Sequence, residues 1–220
     1  MIVLALDTTA RRGGYALLRD GALLAERTRE PQEGFATVLF SDIEGMLADV
    51  GLALEEIDVY AAASGPGSFT GIRVGLTAVK ALAEVHGKPV VPVSNLEALA
   101  FAGSASRRAA VLDARRERVY AAVYDANLQP LVPEAAYVWS EFRATAGQAE
   151  FLGLDPAVFS PDGAAPLDHV KPTIVPNLAA FIACLAARRI AQGRGSRPEQ
   201  VEANYVRRPD AERNWKVPGG

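Results

Sequence analysis

The sequence predicts an α/β fold in which one arrangement of strands and helices occurs twice. Three observations carry that prediction. Short apolar runs of buried-strand length alternate with longer segments of helical periodicity. The first part of the chain reads β-β-β-α-β-α-β-α, and after a small, polar stretch at Gly103–Arg108 the order restarts as β-β-β-α-β-β-α. Half of the 220 residues are apolar at a formal net charge of −3, which suits a packed core and excludes a globally disordered chain. The expected division gives one unit over residues 1–103 and a smaller, degenerate unit over residues 104–220.

Taken in order, Ile2–Leu6 is a buried strand ending at Asp7-Thr8-Thr9. Gly14–Arg19 and Ala22–Thr28 follow, joined at Asp20-Gly21, a strong two-residue hairpin signal. A helix runs from Phe35 to Val50. Its main face is Phe35, Leu39, Ile43, Met46 and Val50; Ala36, Phe40 and Leu47 widen it to one side, and Gly51 stops it. Ile57–Ala63 is the next strand. It gives way to Ser64-Gly-Pro-Gly-Ser-Phe-Thr-Gly71, where Gly65 and Gly67 permit a sharp turn. Ser68 and Thr70 offer caps for a helix that starts near Gly71 and ends at Gly87. Val90–Val93 is a strand, and Ser94-Asn-Leu-Glu97 is a capping box opening a helix. In the second part Ala109–Leu112, Val119–Tyr124, Leu131–Trp139, Ala157–Phe159 and Thr173–Val175 read as strands. Ser140 caps one helix there and Asn177 opens another that runs to Ala191. Residues 161–171 are too short and proline-rich for the helix a full duplication would supply. Gly193–Pro198 is a linker, and the tail beyond it carries Arg207, Arg208, Arg213 and Lys216.

The strand, glycine loop and helix around residue 65 form the informative stretch. Backbone N–H groups at a helix N-terminus make an anion cradle or, equally, a tight structural turn, with Asp7, Thr8, Gly65, Gly67, Ser68, Thr70 and Arg73 as the residues concerned. The loop is not a Walker phosphate loop, because Gly71 is followed by Ile72 and Arg73 rather than lysine and a hydroxyl. It is not a nucleophile elbow, and the strand after it ends in Ser94 where a dinucleotide site wants an acid. On the helix, Ile72, Leu76, Val79, Ala83 and His86 make a stripe for a sheet. Gly71, Val74, Gly75, Ala78, Ala81, Leu82 and Val85 continue the apolar surface, leaving only Arg73, Thr77, Lys80 and Glu84 polar. A helix so apolar has to be covered twice, and the small residues Gly71, Gly75 and Ala78 would admit a partner's helix closely.

Little catalytic chemistry is written into the rest. The chain has two histidines, His86 and His169, in no metal-ligand spacing, and one cysteine, Cys184, in an apolar helical run. A lone cysteine forms no internal disulfide and fits a reducing compartment. The first residues lack the pattern of a signal peptide, and no stretch is long and apolar enough for a membrane span, so a cytoplasmic chain without membrane contact is expected. The acidic balance argues against a nonspecific hold on nucleic acid. Asp113–Tyr120, a hairpin with three arginines and two acids, is either a phosphate or partner site or a self-paired turn.

Leu4-Ala-Leu-Asp7-Thr8-Thr9, Ser64-Gly-Pro-Gly-Ser-Phe-Thr-Gly-Ile-Arg-Val-Gly75, Pro92-Val-Ser-Asn-Leu-Glu-Ala-Leu99, Leu112-Asp-Ala-Arg-Arg-Glu-Arg-Val-Tyr120 and Asn204-Tyr-Val-Arg207 together resemble the bacterial TsaB (YeaZ) family over nearly the whole chain. The resemblance implies two actin-like (ASKHA, ribonuclease H-like) domains. It implies a non-catalytic part in making threonylcarbamoyladenosine in tRNAs that read codons beginning with A. It also implies a heterodimer with the catalytic subunit TsaD, joined by TsaE, with tRNA reached through the complex and a homodimer when the chain is alone. The partner-binding residues it points to are Ala36, Phe40, Leu47, Gly71, Val74, Gly75, Ala78, Leu82 and Val85. A charge at Val74 or Ala78 is expected to block association and leave the fold intact. Compared with the catalytic relatives, Pro31–Leu39 lacks the metal-binding HxxxH, Asp7-Thr8-Thr9 lacks the phosphate-loop glycine, and Leu112–Arg115 replaces the second phosphate loop. No cofactor is therefore expected within this chain, with a nucleotide, if any, at the subunit interface. The alternative is a nucleotide-dependent kinase or metallo-glycopeptidase of the same fold.

Overall fold

A computed structural model describes residues 1–115, 118–160 and 171–206. In the first part of the chain β1 (Ile2–Asp7), β2 (Gly13–Arg19) and β3 (Ala22–Arg29) form an antiparallel meander. Helix α1 (Phe35–Asp49), β4 (Val59–Gly65), α2 (Phe69–His86), β5 (Val90–Ser94) and α3 (Asn95–Phe101) follow. The second part repeats the meander with β6 (Arg107–Asp113), β7 (Arg118–Asp125) and β8 (Pro130–Val138). It continues with α4 (Trp139–Ala146), β9 (Glu150–Gly153), β10 (Thr173–Ile174) and α5 (Ala179–Ala191).

The strands make two five-stranded sheets, ordered β3-β2-β1-β4-β5 and β8-β7-β6-β9-β10. In each, the first three strands are antiparallel and the fourth and fifth run parallel to the first. The restart expected after residue 103 is thus one topology used twice. The expected boundary itself falls in the turn between α3 and β6.

Period-two alternation along the strands separates three apolar layers. Leu4, Leu6, Tyr15, Leu17, Tyr60 and Ala62 face outward onto α1 and α2. Their sequence neighbours Val3, Ala5, Ala16, Leu18, Val59, Ala61 and Ala63 face inward, into a layer shared with Ala110, Leu112, Ala122 and Leu152 of the other sheet. That layer is filled by α3 and α5, and the two helices are exchanged. Helix α3, from the first part, packs on β6 and β7, whereas α5, from the second, packs on β1, β2 and β4. The far face of the second sheet is closed by α4, with Trp139, Phe151 and Phe159 in edge-on ring contacts and Phe142 tilted against Tyr137.

Four local expectations are corrected. Ala157–Phe159 is a single 3₁₀ turn over Pro156–Phe159, because Asp155 accepts the Ala157 N–H (2.8 Å) and Pro156 presets a helical φ. The strand is Glu150–Gly153, only four residues long and hence without a readable period. Trp139 belongs to α4 and not to the strand before it, so Ser140 lies inside the first turn and caps nothing. Helix α2 opens at Phe69; Ser68 caps it and Thr70 is already helical. The α3 capping serine is placed as expected, with Ser94 Oγ accepting from the Leu96 and Glu97 amides. Asn177 sits one residue outside the cap of α5, and its Oδ1 accepts the Ala179 N–H (2.9 Å). The basic tail from Arg207, His169 and residues 161–170 lie outside the described residues.

Because α5 supports the first sheet, Ile182→Ala should lower the stability of the whole chain by about 2–5 kcal/mol, the cost of a large-to-small change in a closed core. Leu131→Ala, on the exposed edge strand β8, should change it by less than about 0.5 kcal/mol. Urea unfolding of both variants checks the contrast.

Candidate functional site

The site is built where the carboxyl ends of β1 and β4 meet the first turn of α2. At the end of β1 the chain turns through Thr8 and Thr9, and α2 arrives with glycines against that turn. A Cβ on Gly71 would lie 2.0 Å from the Thr8 carbonyl oxygen, one on Gly75 2.6 Å from Thr8 Oγ1, and one on Gly67 2.8 Å from the Thr9 carbonyl oxygen. Thr8 Oγ1 donates to the Gly71 carbonyl (2.7 Å), and the Ser68 N–H donates to the Thr9 carbonyl (2.7 Å). Gly65, at φ 110°, follows Ser64 and precedes a cis peptide to Pro66.

This corrects one inference from the sequence. Gly71 and Gly75 pack against Thr8 just beyond their own β1, and that contact accounts for their small size without a second protein. Three of the loop amides are spent in the same way. The Gly65 N–H donates to Asn95 Oδ1 (2.9 Å), that of Ser68 to Thr9, and that of Gly71 to Ser68 Oγ (3.3 Å). Of the two readings of this loop, the contacts of these groups are those of a structural turn.

Asp7 is fully buried beneath it. Its Oδ1 accepts from the Thr9 N–H (3.1 Å) and hydroxyl (2.7 Å), while among the described residues Oδ2 has no hydrogen-bond partner. Thr9 Oγ1 in turn accepts from Asn95 Nδ2, which joins the ends of β1 and β4 to the start of α3. Burial pushes the Asp7 carboxyl above its ordinary range, against the opposing pull of Thr9 and the Leu178 amide. Asn95 was not among the residues expected here; its only sequence signal is its place after the capping Ser94.

The outward surface of α1 and α2 carries what remains of the predicted contact residues. Phe40 is 52% exposed, Val85 78%, Ala36 is exposed, and Val74 and Leu82 are half-buried. Leu47 and Ala78 are only 3% and 6% exposed, in the layer between these helices and the first sheet. Gly75 is buried and Gly71 half-buried against Thr8. The surface therefore narrows to Ala36, Phe40, Val74, Leu82 and Val85. A charge at Ala78 would unfold the helix layer as well as alter its surface, so that variant does not serve the purpose expected of it. His86 closes the sheet-facing stripe by stacking on Tyr60, at 6.3 Å between ring centroids. Arg73, at the first turn, lies over the Phe69 ring at 3.9 Å. The Asp113–Tyr120 hairpin is described only in part; the Arg115 N–H donates to Asp113 Oδ1 (2.7 Å) and the Arg118 N–H to the Arg115 carbonyl (3.3 Å). Among the described residues no group of three His, Cys, Asp or Glu side chains could hold a metal ion, and no helix is long and apolar enough to cross a membrane.

Gly71→Ala should destabilise the isolated chain by about 1–3 kcal/mol, since α2 must lift from Thr8 to admit the methyl. A thermal melt without any partner present reads it. Asp7 should leave a signature in pH. With a raised folded-state pKa, the native state holds the proton longer than the unfolded chain. The stability it contributes is therefore complete below about pH 4 and declines as pH rises toward the native value. Relative to Asp7→Asn, the parent should lose stability across that window, at no more than about 1.4 kcal/mol per pH unit. Urea unfolding of both chains from pH 4 to 7 checks it; parallel curves would contradict it.

The family model described as TsaD, tRNA N6-adenosine threonylcarbamoyltransferase, matches residues 31–147, more than half of the chain. The protein named tRNA threonylcarbamoyladenosine biosynthesis protein TsaB from Bacillus subtilis (strain 168) is 34% identical over 142 residues, which cover 61% of this chain and 61% of that protein. The chain thus spans about three fifths of the length of this curated relative. An uncharacterized protein of Mycobacterium tuberculosis (strain ATCC 25618 / H37Rv) is 30% identical over 215 residues, 95% of this chain and 93% of its own. Among solved structures, YeaZ from Pseudomonas aeruginosa superposes with a TM-score of 0.79 at 27% identity, covering 93% of this chain and 99% of that one. The α/β fold is thus of the actin-like, ribonuclease H-like kind. With the glycine loop seated on β1, two sheets of one topology and these likenesses together, the chain belongs to the TsaB (YeaZ) family.

Proposed function

We propose that this chain is a non-catalytic subunit of the system that makes threonylcarbamoyladenosine in tRNAs reading codons beginning with A. It docks on a TsaD-type transferase and activates it, while the partner moves threonylcarbamoyl from threonylcarbamoyl-AMP to the adenosine N6. The single observation that carries the reading is the apolar ridge of α1 and α2. Phe40 and Val85 stand free on a helix layer whose inner face is already satisfied by the first sheet. Exposed anchors of this kind, flanked by the half-buried Val74 and Leu82, are what an interface core needs.

The names of the Bacillus subtilis and Escherichia coli relatives support the biosynthetic role. The stretch matched by the TsaD model includes both ridge helices, so a partner of that family would offer a comparable pair in return. The same self-like face would pair two copies of this chain when the partner is missing. TsaE and tRNA then enter through the complex, and a nucleotide belongs to the subunit interface. The kinase and glycopeptidase alternatives need an accessible acid or a metal set, whereas Asp7 is enclosed and engaged by Thr9.

Light scattering of the chain, alone and mixed with TsaD from the same organism, tests the reading. Val85→Glu and Phe40→Glu should each weaken association by about 100-fold or more, the effect of burying an unpaired charge in an interface core. Both positions are exposed, so circular dichroism and melting temperature should stay those of the parent. Full association by both variants would refute the docking face.

A further inference from the structure

The ridge of α2 has a second border besides α1. On the 100° wheel Arg73 and Lys80 lie on one side of the sheet-facing stripe, with Ala78 and Leu82 on the other. The Arg73–Lys80 flank is taken by the C-terminal segment 198–206. Lys80 Nζ donates to the Val201 carbonyl (3.1 Å), and Arg73 Nε donates to the Tyr205 hydroxyl (3.3 Å). The Phe69 and Tyr205 rings stack at 5.2 Å and 27°, with the Arg73 guanidinium over Phe69. All three side chains are exposed.

This segment is built into the molecule. Ser196 bridges Val90 through two backbone bonds (2.9 and 3.0 Å), and the Asn204 N–H donates to the Ser64 carbonyl (2.7 Å). Asn204 Nδ2 donates to Glu134 Oε2 (2.7 Å), and Glu134 Oε1 accepts from Ser94 and Tyr124. A Cβ on Gly65 would reach within 2.7 Å of the Asn204 carbonyl oxygen. One glutamate thus ties the strap to the second sheet and to the cap of α3, and the strap delivers Tyr205 to the first turn of α2.

Among the described residues the charge at that place has no acidic counterpart. Arg27, Arg29 and Arg189 each meet a carboxylate, Asp49, Asp42 and Glu97 respectively. Among the described residues Arg73 meets no carboxylate, yet its guanidinium is held on the Phe69 ring and the residue is exposed. We propose that the docking face extends from α2 onto the strap, and that the Arg73–Phe69–Tyr205 stack receives a carboxylate of the protein partner. This rests on the docking function proposed above and adds to it an anchor of opposite chemistry. The apolar ridge supplies burial, and the stack supplies register through a bidentate charge pair.

The test is a titration of the full chain against TsaD from the same organism, at low and high salt, with Val85→Glu as reference. Arg73→Glu should weaken binding by about 30-fold or more at low salt, Tyr205→Ala by about 10-fold, and Arg73→Lys by less than either. High salt should shrink the Arg73 effect and leave that of Val85→Glu intact. Melting temperatures near that of the parent confirm folding; if Arg73→Glu melts early, Arg73→Gln carries the decision. Parental affinity in the Arg73 and Tyr205 variants, with Val85→Glu failing to bind, would overturn the strap while the docking face stands. A parent that does not bind would overturn both. Loss of tRNA retention by the complex, with partner affinity unchanged, would assign the stack to phosphate and overturn the carboxylate.

Discussion

The first turn of α2 rests on the backbone of Thr8 and Thr9, and that close approach governs the arrangement around it. With no side chain at Gly67, Gly71 or Gly75, the helix axis comes near enough for Thr8 to bond the Gly71 carbonyl. The orientation of the helix follows. Ile72, Leu76, Val79 and Ala83 are pressed onto the first sheet, and Val74 and Val85 are turned away from it. The exposed apolar ridge of α2 lies beside that contact, about a quarter turn or less around the helix from it.

Below that contact the ends of β1 and β4 and the start of α3 are joined by buried polar groups, from Asp7 through Thr9 and Asn95 to the Gly65 amide. These groups hold one another in place at some cost, since Asp7 keeps an oxygen without a partner among the described residues in an enclosed site. In the neighbouring glycine loop the Gly65, Ser68 and Gly71 amides are engaged by the chain itself.

The exchange of α3 and α5 makes the two sheets interdependent. Each sheet has an inner face covered by a helix from the other part of the chain, and the apolar layer between them is continuous. Cutting the chain near residue 103 would strip Val3, Ala5 and Ala61 of α5. Duplication in sequence order therefore does not translate into two separately covered cores, and the strap adds a further tie through Glu134.

By itself the sequence determined the element types, the repeated order, the capping of α3 by Ser94, the αL end of α2 at Gly87 and the family. Each is encoded locally, in a period, a turn residue or a contiguous motif. Short elements escaped it. Glu150–Gly153 has too few residues to show a period, and Pro156–Phe159 takes its shape from Asp155 and Pro156 more than from its apolar content. Of the predicted contact residues, Phe40 and Val85, picked out by helical spacing as surplus apolar surface, are exposed. The same spacing could not tell whether Gly71 and Gly75 are small for a partner or for Thr8, because both readings ask for the same absent side chain. Leu47 and Ala78 lie just inside the edge of their helices' buried faces, and how far an edge is covered depends on the neighbouring helix. Only the tertiary structure shows the contact with Thr8 and the depth of Leu47 and Ala78, along with the exchange of α3 and α5 and the seating of Tyr205 on Phe69. In the last of these, residues 136 positions apart are joined by a path through Glu134 that no local pattern records.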